Sequence, residues 1–290
     1  MIETIIQVII SGLMIGGVYA LISLGLTLIF GVVRIINFAH GEFLMLGMYT
    51  SYWLFQLFGL DPYFSILVIA PLFFIFGMLI QRVIFQPILD APEVSQIFAA
   101  VGLVIVLQNL ALLFWKGDYR AVKTSYSAFP LEVGGLMISL PRLVAFLGAV
   151  GIMLILYFFL KSTYTGKAIR ATSQDQGAAL LMGINTRRVF ILAFGIGSSC
   201  VGIAGALMIP FYYVFPTVGA YFVLTAFVIV VLGGLGSMIG AFVGGLIIGV
   251  IEALSGYFIA TAFKEAIYFI IFWFLLIYKP NGLFGLARRK

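Results

Sequence analysis

Apolar residues run along this chain in long unbroken stretches, near 5–30, 43–59, 63–81, 94–115, 142–160, 189–210, 221–232, 238–258 and 264–278. A stretch such as "AFLGAVGIMLILYFFL" does not alternate, so it reads neither as a half-exposed strand nor as a barrel strand of about 10 residues. A helix of roughly 20 apolar residues spans a bilayer core about 30 Å thick and satisfies its own backbone hydrogen bonds. The pattern predicts an all-α fold, a polytopic transmembrane helix bundle of about eight or nine segments. Residues 221–232 are short and run into "GGLGS"; whether they cross or form a re-entrant half-helix decides the count.

Composition sharpens this. The chain is 63% hydrophobic and 9% charged, against roughly 45–50% and about 25% in soluble domains. Its mean hydropathy is +1.22. The first apolar stretch carries Glu3 in place of a basic flank and is longer than a secretory core of about 7–15 residues, so it does not read as a cleaved signal. The net charge of +6 does not imply nucleic acid, because the basic residues flank apolar stretches. Cys200 is the only cysteine, which rules out an intrachain disulfide and a thiol metal cluster; within "GSSCVGIAGA" it reads as a packing residue. Small residues at helical spacing (Gly195 with Ser199, Ser198 with Gly202 and Ala206, Gly240 with Gly244, Gly245 with Gly249) predict close helix approaches. No P-loop, H-E-x-x-H or G-x-S-x-G motif occurs, so no catalytic residue, metal or cofactor is expected.

Charge placement predicts the topology. Residues 161–188 carry Lys161, Lys167, Arg170, Arg187 and Arg188 against Asp175 alone, which makes this loop cytoplasmic. Lys279, Arg288, Arg289 and Lys290 place the C-terminal tail on the same side. Counting back puts 116–141 outside, "RIINFAHGE" towards the inside and the N-terminus outside. Nothing divides the chain, so residues 1–290 form a single membrane domain.

Three stretches carry candidate chemistry. "ATSQDQGAALLMGINTRR", 171–188, places a short helix with small apolar residues between polar flanks, with Gly183 as its stop and Asn185 opening the next turn. It reads either as a docking element for another protein or as a loop lying on the membrane. In "INFAHGEF", Asn37 and His40 end one segment, Gly41 permits a sharp turn and Glu42 opens the next helix near its positive end. Alternatively these four residues line a translocation path at broken helix ends, with His40 able to relay a proton. Glu252 sits at apparent membrane depth, facing either the bundle interior or the interface. Gln108 and Asn109 read as bonding between helices, and Tyr52, Trp53, Trp115 and Trp273 as interface anchors.

"GVVRIINFAHGEFLMLGMY", "GKAIRATSQDQGAALLMGIN", "VVLGGLGSMIGAFVGGLIIGVIEAL" and "KPNGLFG" occur in this order. Together they resemble the membrane permease subunit of branched-chain amino-acid ABC importers, the LivH type, over nearly the whole chain. "INFAHGE" is the most specific piece, and the Gly-rich block is shared more loosely with sugar permeases. The resemblance implies a multi-pass cell (inner) membrane protein that works with a second homologous permease, two cytoplasmic ABC ATPases and an extracytoplasmic binding protein. It also implies that Asp175, Gly177, Ala178, Ala179, Leu180, Gly183 and Asn185 form an ATPase-coupling loop. Asn37, His40, Gly41, Glu42 and Glu252 remain the candidates for the path. The implied substrates are leucine, isoleucine and valine. A urea or short-amide importer, whose permeases have a similar "HGE" segment, is the near alternative. From other classes, an ion-gradient-driven transporter would require charged pairs within the membrane, and a channel would require a ring of filter residues.

Overall fold

The computed structural model describes residues 2–127, 130–260 and 263–285. Arg288, Arg289 and Lys290, used above to orient the tail, lie outside the described residues. All nine apolar stretches are helices: α1 (Ile2–Val33), α2 (His40–Phe58), α3 (Pro62–Ile80), α4 (Glu93–Trp115), α5 (Leu140–Ser162), α8 (Thr186–Met208), α9 (Val218–Gly233), α10 (Met238–Phe258) and α11 (Lys264–Tyr278). Two short helices, α6 (Tyr164–Gln174) and α7 (Gln176–Leu181), lie in the polar stretch between α5 and α8. Among the described residues, six helices are long and apolar enough to cross a membrane: α1, α3 with its continuation to Ile88, α4, α5, α8 and α10. The outward faces of α3 and α4 expose Phe64, Leu67, Phe98 and Leu113, as lipid contact requires.

One part of 116–141 forms strands. β1 (Pro130–Val133) pairs antiparallel with β2 (Leu136–Ser139), Pro130 opposite Ser139, across a Gly134-Gly135 turn. The hairpin marks one end of the bundle; α6 and α7 mark the other.

Helices cross where side chains are smallest. In α1 and α10 a Cβ on Gly12 would meet Gly249 O at 2.8 Å, and one on Gly16 would meet Gly245 O at 2.7 Å. Gly31, further along α1, lies against Gly236, so the two helices run antiparallel. α3 and α8 pair in the same sense: Gly77 faces Ser198, Gly202 faces Phe73, and Ser199 Oγ donates to Ala70 O at 2.9 Å. Between helices in lipid, where burial of apolar surface gives no net drive, such close backbone contact supplies the attraction. Buried Cys200 belongs to this packing on α8.

The chain leaves α9 through "GGLGS". Gly234 at φ 99° and Gly236 at φ 85° take a conformation that side chains disfavour, and so turn the chain into α10 within four residues. The "KPNGLFG" segment closes this corner, with Leu283 N–H donating to Leu232 O at 2.8 Å and Phe284 N–H to Gly233 O at 3.1 Å. At the hairpin end, Arg120 pairs with Val214 through two backbone hydrogen bonds. Its guanidinium rests near Tyr52 and Trp53, 5.6 and 5.3 Å from their ring centroids. Trp115 stacks on Tyr49. Three of the expected interface anchors therefore hold the polar loop to the bundle.

Candidate functional site

α1 ends at Val33, Arg34 turns the chain at φ 61°, and α2 starts at His40. The sharp turn thus falls at Arg34 instead of Gly41, and His40 opens the second helix instead of ending the first. The motif runs back into the bundle before its helix begins. His40 donates from Nε2 to Ile22 O at 3.0 Å and lies 3.2 Å from the Cβ position of Gly25, both along the length of α1. Asn37 Oδ1 accepts from Ala39 N–H at 3.1 Å, which holds the non-helical segment in shape. Asn37, His40 and Glu42 are all buried.

Gly41 lies within the first turn of α2 because another backbone lies against it. A Cβ there would collide with Gly219 O, and a Cβ on Gly219 with Gly41 O. Gly219 is the second residue of α9. Two helix starts therefore meet inside the bundle, neither with a side-chain cap. Each start carries partial positive charge, and Glu42 supplies a carboxylate in the first turn of α2. Glu42 Oε1 accepts from Gln108 Nε2 at 2.9 Å, so the acid also binds α4 to α2. Gln108 bonds between helices as its position suggested. Asn109 does not: its Nδ2 donates to Ile105 O one turn back on its own helix, because its side chain points outward. His40 and Glu42 do not bond to each other.

Glu252 is apart from this cluster. Lys264 Nζ donates to its Oε1 at 2.6 Å, an ion pair between α10 and α11. The pair borders a cavity of about 260 Å³ whose walls include Val8, Ser11 and Ile15 of α1. Lys264 is the partner that sequence reading missed. The available signal was that it is the first charge after Glu252 in the chain.

The stretch 161–188 folds into two capped helices. Thr163 Oγ1 accepts from Gly166 N–H, Asp175 Oδ1 from Ala178 N–H, and Asn185 Oδ1 from Arg188 N–H. Gly166 lets α6 fold back against Phe159 and Leu160 of α5. Gly183 at φ 78° ends the α7 turn, as expected from its type. Ala179 faces inward, while Leu181 and Met182 are 90% and 82% exposed; Gly177, Ala178 and Leu180 are exposed as well. Gln176 Nε2 donates to Val32 O at 3.3 Å, tying α7 to the end of α1. Three consecutive residues, Leu180 to Met182, thus give the α7 segment an exposed apolar surface on a pair of helices fixed to α1 and α5.

Membrane-length helices packed through glycine, with a polar motif buried where two helix starts meet, define a multi-pass membrane protein. The chain belongs to the family described as branched-chain amino acid transport system / permease component, whose model matches residues 8–276. The high-affinity branched-chain amino acid permease LivH of Salmonella typhimurium is 34% identical over 295 residues, covering 97% of this chain and 95% of that protein. The corresponding permease BraD of Pseudomonas aeruginosa is 31% identical over 293 residues, with the same coverage. The ribose import permease RbsC of Bacillus subtilis is 27% identical over 168 residues, 55% of this chain and 51% of that protein. No solved structure matches the chain.

Proposed function

We propose that this chain is the membrane permease subunit of a binding-protein-dependent ABC importer that moves leucine, isoleucine and valine. Its partners are a second homologous permease, two cytoplasmic ATPases that hydrolyse ATP, and an extracytoplasmic binding protein. The full-length match to branched-chain amino acid permeases carries this reading.

The α6–α7 end is the cytoplasmic one, in keeping with its basic residues, and the hairpin end is external. Of the eight or nine membrane segments, α2 and α9 begin inside the bundle. The segment from Asp175 to Asn185 couples to the ATPase. Its contact surface is Leu180, Leu181 and Met182, with Gly177 and Ala178 beside them, while Ala179 seats α7 on the bundle. The convergence of Asn37, His40, Gly41, Glu42 and Gly219 is the rigid pivot beside the path, and the Glu252–Lys264 pair faces it near the external end.

Reconstitution of the assembled importer in liposomes tests the reading. Leucine uptake should require both ATP and the binding protein. Leu181→Glu with Met182→Glu should leave the permease inserted and reduce uptake at least tenfold. Uptake by this chain alone, driven by an ion gradient, would overturn it.

A further inference from the structure

A cavity of about 330 Å³ opens between α1, α5, α6 and α10 at the α6–α7 end. This lies within the size range of small-molecule sites, roughly 300–1,000 Å³. Leu28, Val32, Leu160, Ile169 and Met238 form an apolar side. Lys161 and Arg170 line it too, and so does Ser237, the cap of α10, whose Oγ accepts from Gly240 N–H. Lys161 Nζ lies 5.7 Å from the ring centroid of Tyr157, another wall residue. None of the described residues lining the cavity is acidic. The one ion pair among the described residues, Glu252–Lys264, is elsewhere.

An independent observation points to an occupant. Thr27 is 1% exposed and lines this cavity, yet its Oγ1 has no hydrogen-bond partner among the described residues. Buried hydroxyls are normally paired. Two cations, a helix start and an unpaired hydroxyl around an apolar wall together form a receptor for an anion with a hydrocarbon body.

We infer that this cavity binds a small branched aliphatic carboxylate. The carboxylate is held by Lys161, Arg170 and the start of α10, the branched chain lies against Leu28, Val32, Ile169 and Met238, and Thr27 Oγ1 meets the α-substituent. With no acid in the wall, the ammonium of an amino acid is not the recognised feature, so the corresponding 2-oxo acid binds as well. Arg170 is on α6, and Gln176 of the adjoining α7 is bonded to α1. A ligand joining α6 to α1 and α10 therefore restrains the element proposed to couple to the ATPase, which makes this a site where accumulated product slows import. The choice of a leucine-like ligand and of the product side rests on the function proposed above.

The assembled importer in liposomes is first checked for ATP-driven leucine uptake; failure there would overturn the proposed function and leave the site to be judged by binding alone. A diazirine analogue of leucine is then photolysed with the assembled importer in the absence of binding protein, and the labelled residues are mapped by mass spectrometry. Labels are expected within 27–32, 157–173 or 236–239. 4-Methyl-2-oxopentanoate should suppress them at least tenfold, and leucinol, which lacks the carboxylate, by less than twofold. Lys161→Gln with Arg170→Gln should reduce labelling at least tenfold, and Thr27→Val about threefold. Labels found only elsewhere, equal protection by leucinol, or protection by phosphatidylglycerol alone would overturn the inference, the last by assigning the cavity to a lipid phosphate.

Discussion

Glu42 joins α2 to α4 through its side chain and borders α9 through its backbone. It accepts from Gln108 of α4, and its backbone nitrogen lies 2.9 Å from the Cβ position of Gly219, beside the start of α9. Removing the acid and removing only its charge should therefore differ. Glu42→Gln keeps an acceptor for Gln108 and loses the charge–dipole interaction, worth up to about 2 kcal/mol in partly buried geometry. Glu42→Ala also leaves the Gln108 amide unpaired, at a further cost of about 1–3 kcal/mol. Thermal unfolding in detergent should rank wild type above Gln and Gln above Ala; equal loss in both variants would remove the cross-helix bond from the account. Residue type made Glu42 and His40 visible in the sequence, since polar side chains are rare in apolar surroundings. Their partners were not visible: Ile22 O and Gln108 are 18 and 66 residues away, and one belongs to a backbone that carries no sequence signal.

At the scale of elements, the contact of α2 with α9 depends on two hydrogens where other residues have a Cβ. Gly41→Ala or Gly219→Ala must push one helix off the other's backbone. Overpacking typically costs about 1–3 kcal/mol, and here the obstructing atoms are carbonyls that cannot swing aside. Gly102→Ala on α4, where a Cβ meets nothing within 4 Å, should change stability by less than about 1 kcal/mol. Unfolding midpoints of the three variants check this, and a Gly102 variant as damaged as Gly41→Ala would contradict it. α7 divides in a similar way. Charge at exposed Ala178 should affect coupling and spare stability, whereas charge at Ala179, which is 3% exposed, should unseat the helix itself. The ratio of ATPase activity to uptake, measured with the melting temperature, separates the two. The extents of all nine apolar helices were legible from hydropathy. The β-hairpin was not, because "PLEVGGLMIS" is a short mixed stretch whose pairing depends on the Gly-Gly turn.

For the molecule as a whole, the Glu252–Lys264 pair fastens the C-terminal helix to the bundle. Lys264→Met should leave Glu252 unpaired beside its cavity, and Glu252→Gln with Lys264→Met should recover part of the loss. A coupling energy of about 0.5–3 kcal/mol is expected in the double-mutant cycle; strict additivity would show that the pair contributes nothing to stability. The sequence by itself determined that the chain is a helical membrane protein, which stretches become helices, and its family. Each of these follows from local composition, since a bilayer imposes one constraint on every apolar stretch. Tertiary structure alone decided which glycines meet, that two helices start against each other inside the bundle, and that Thr27, Lys161 and Arg170 surround one cavity. Those contacts join residues far apart in the chain. Their energy comes from backbone shape and from distances of a few ångströms, which no single stretch of sequence contains.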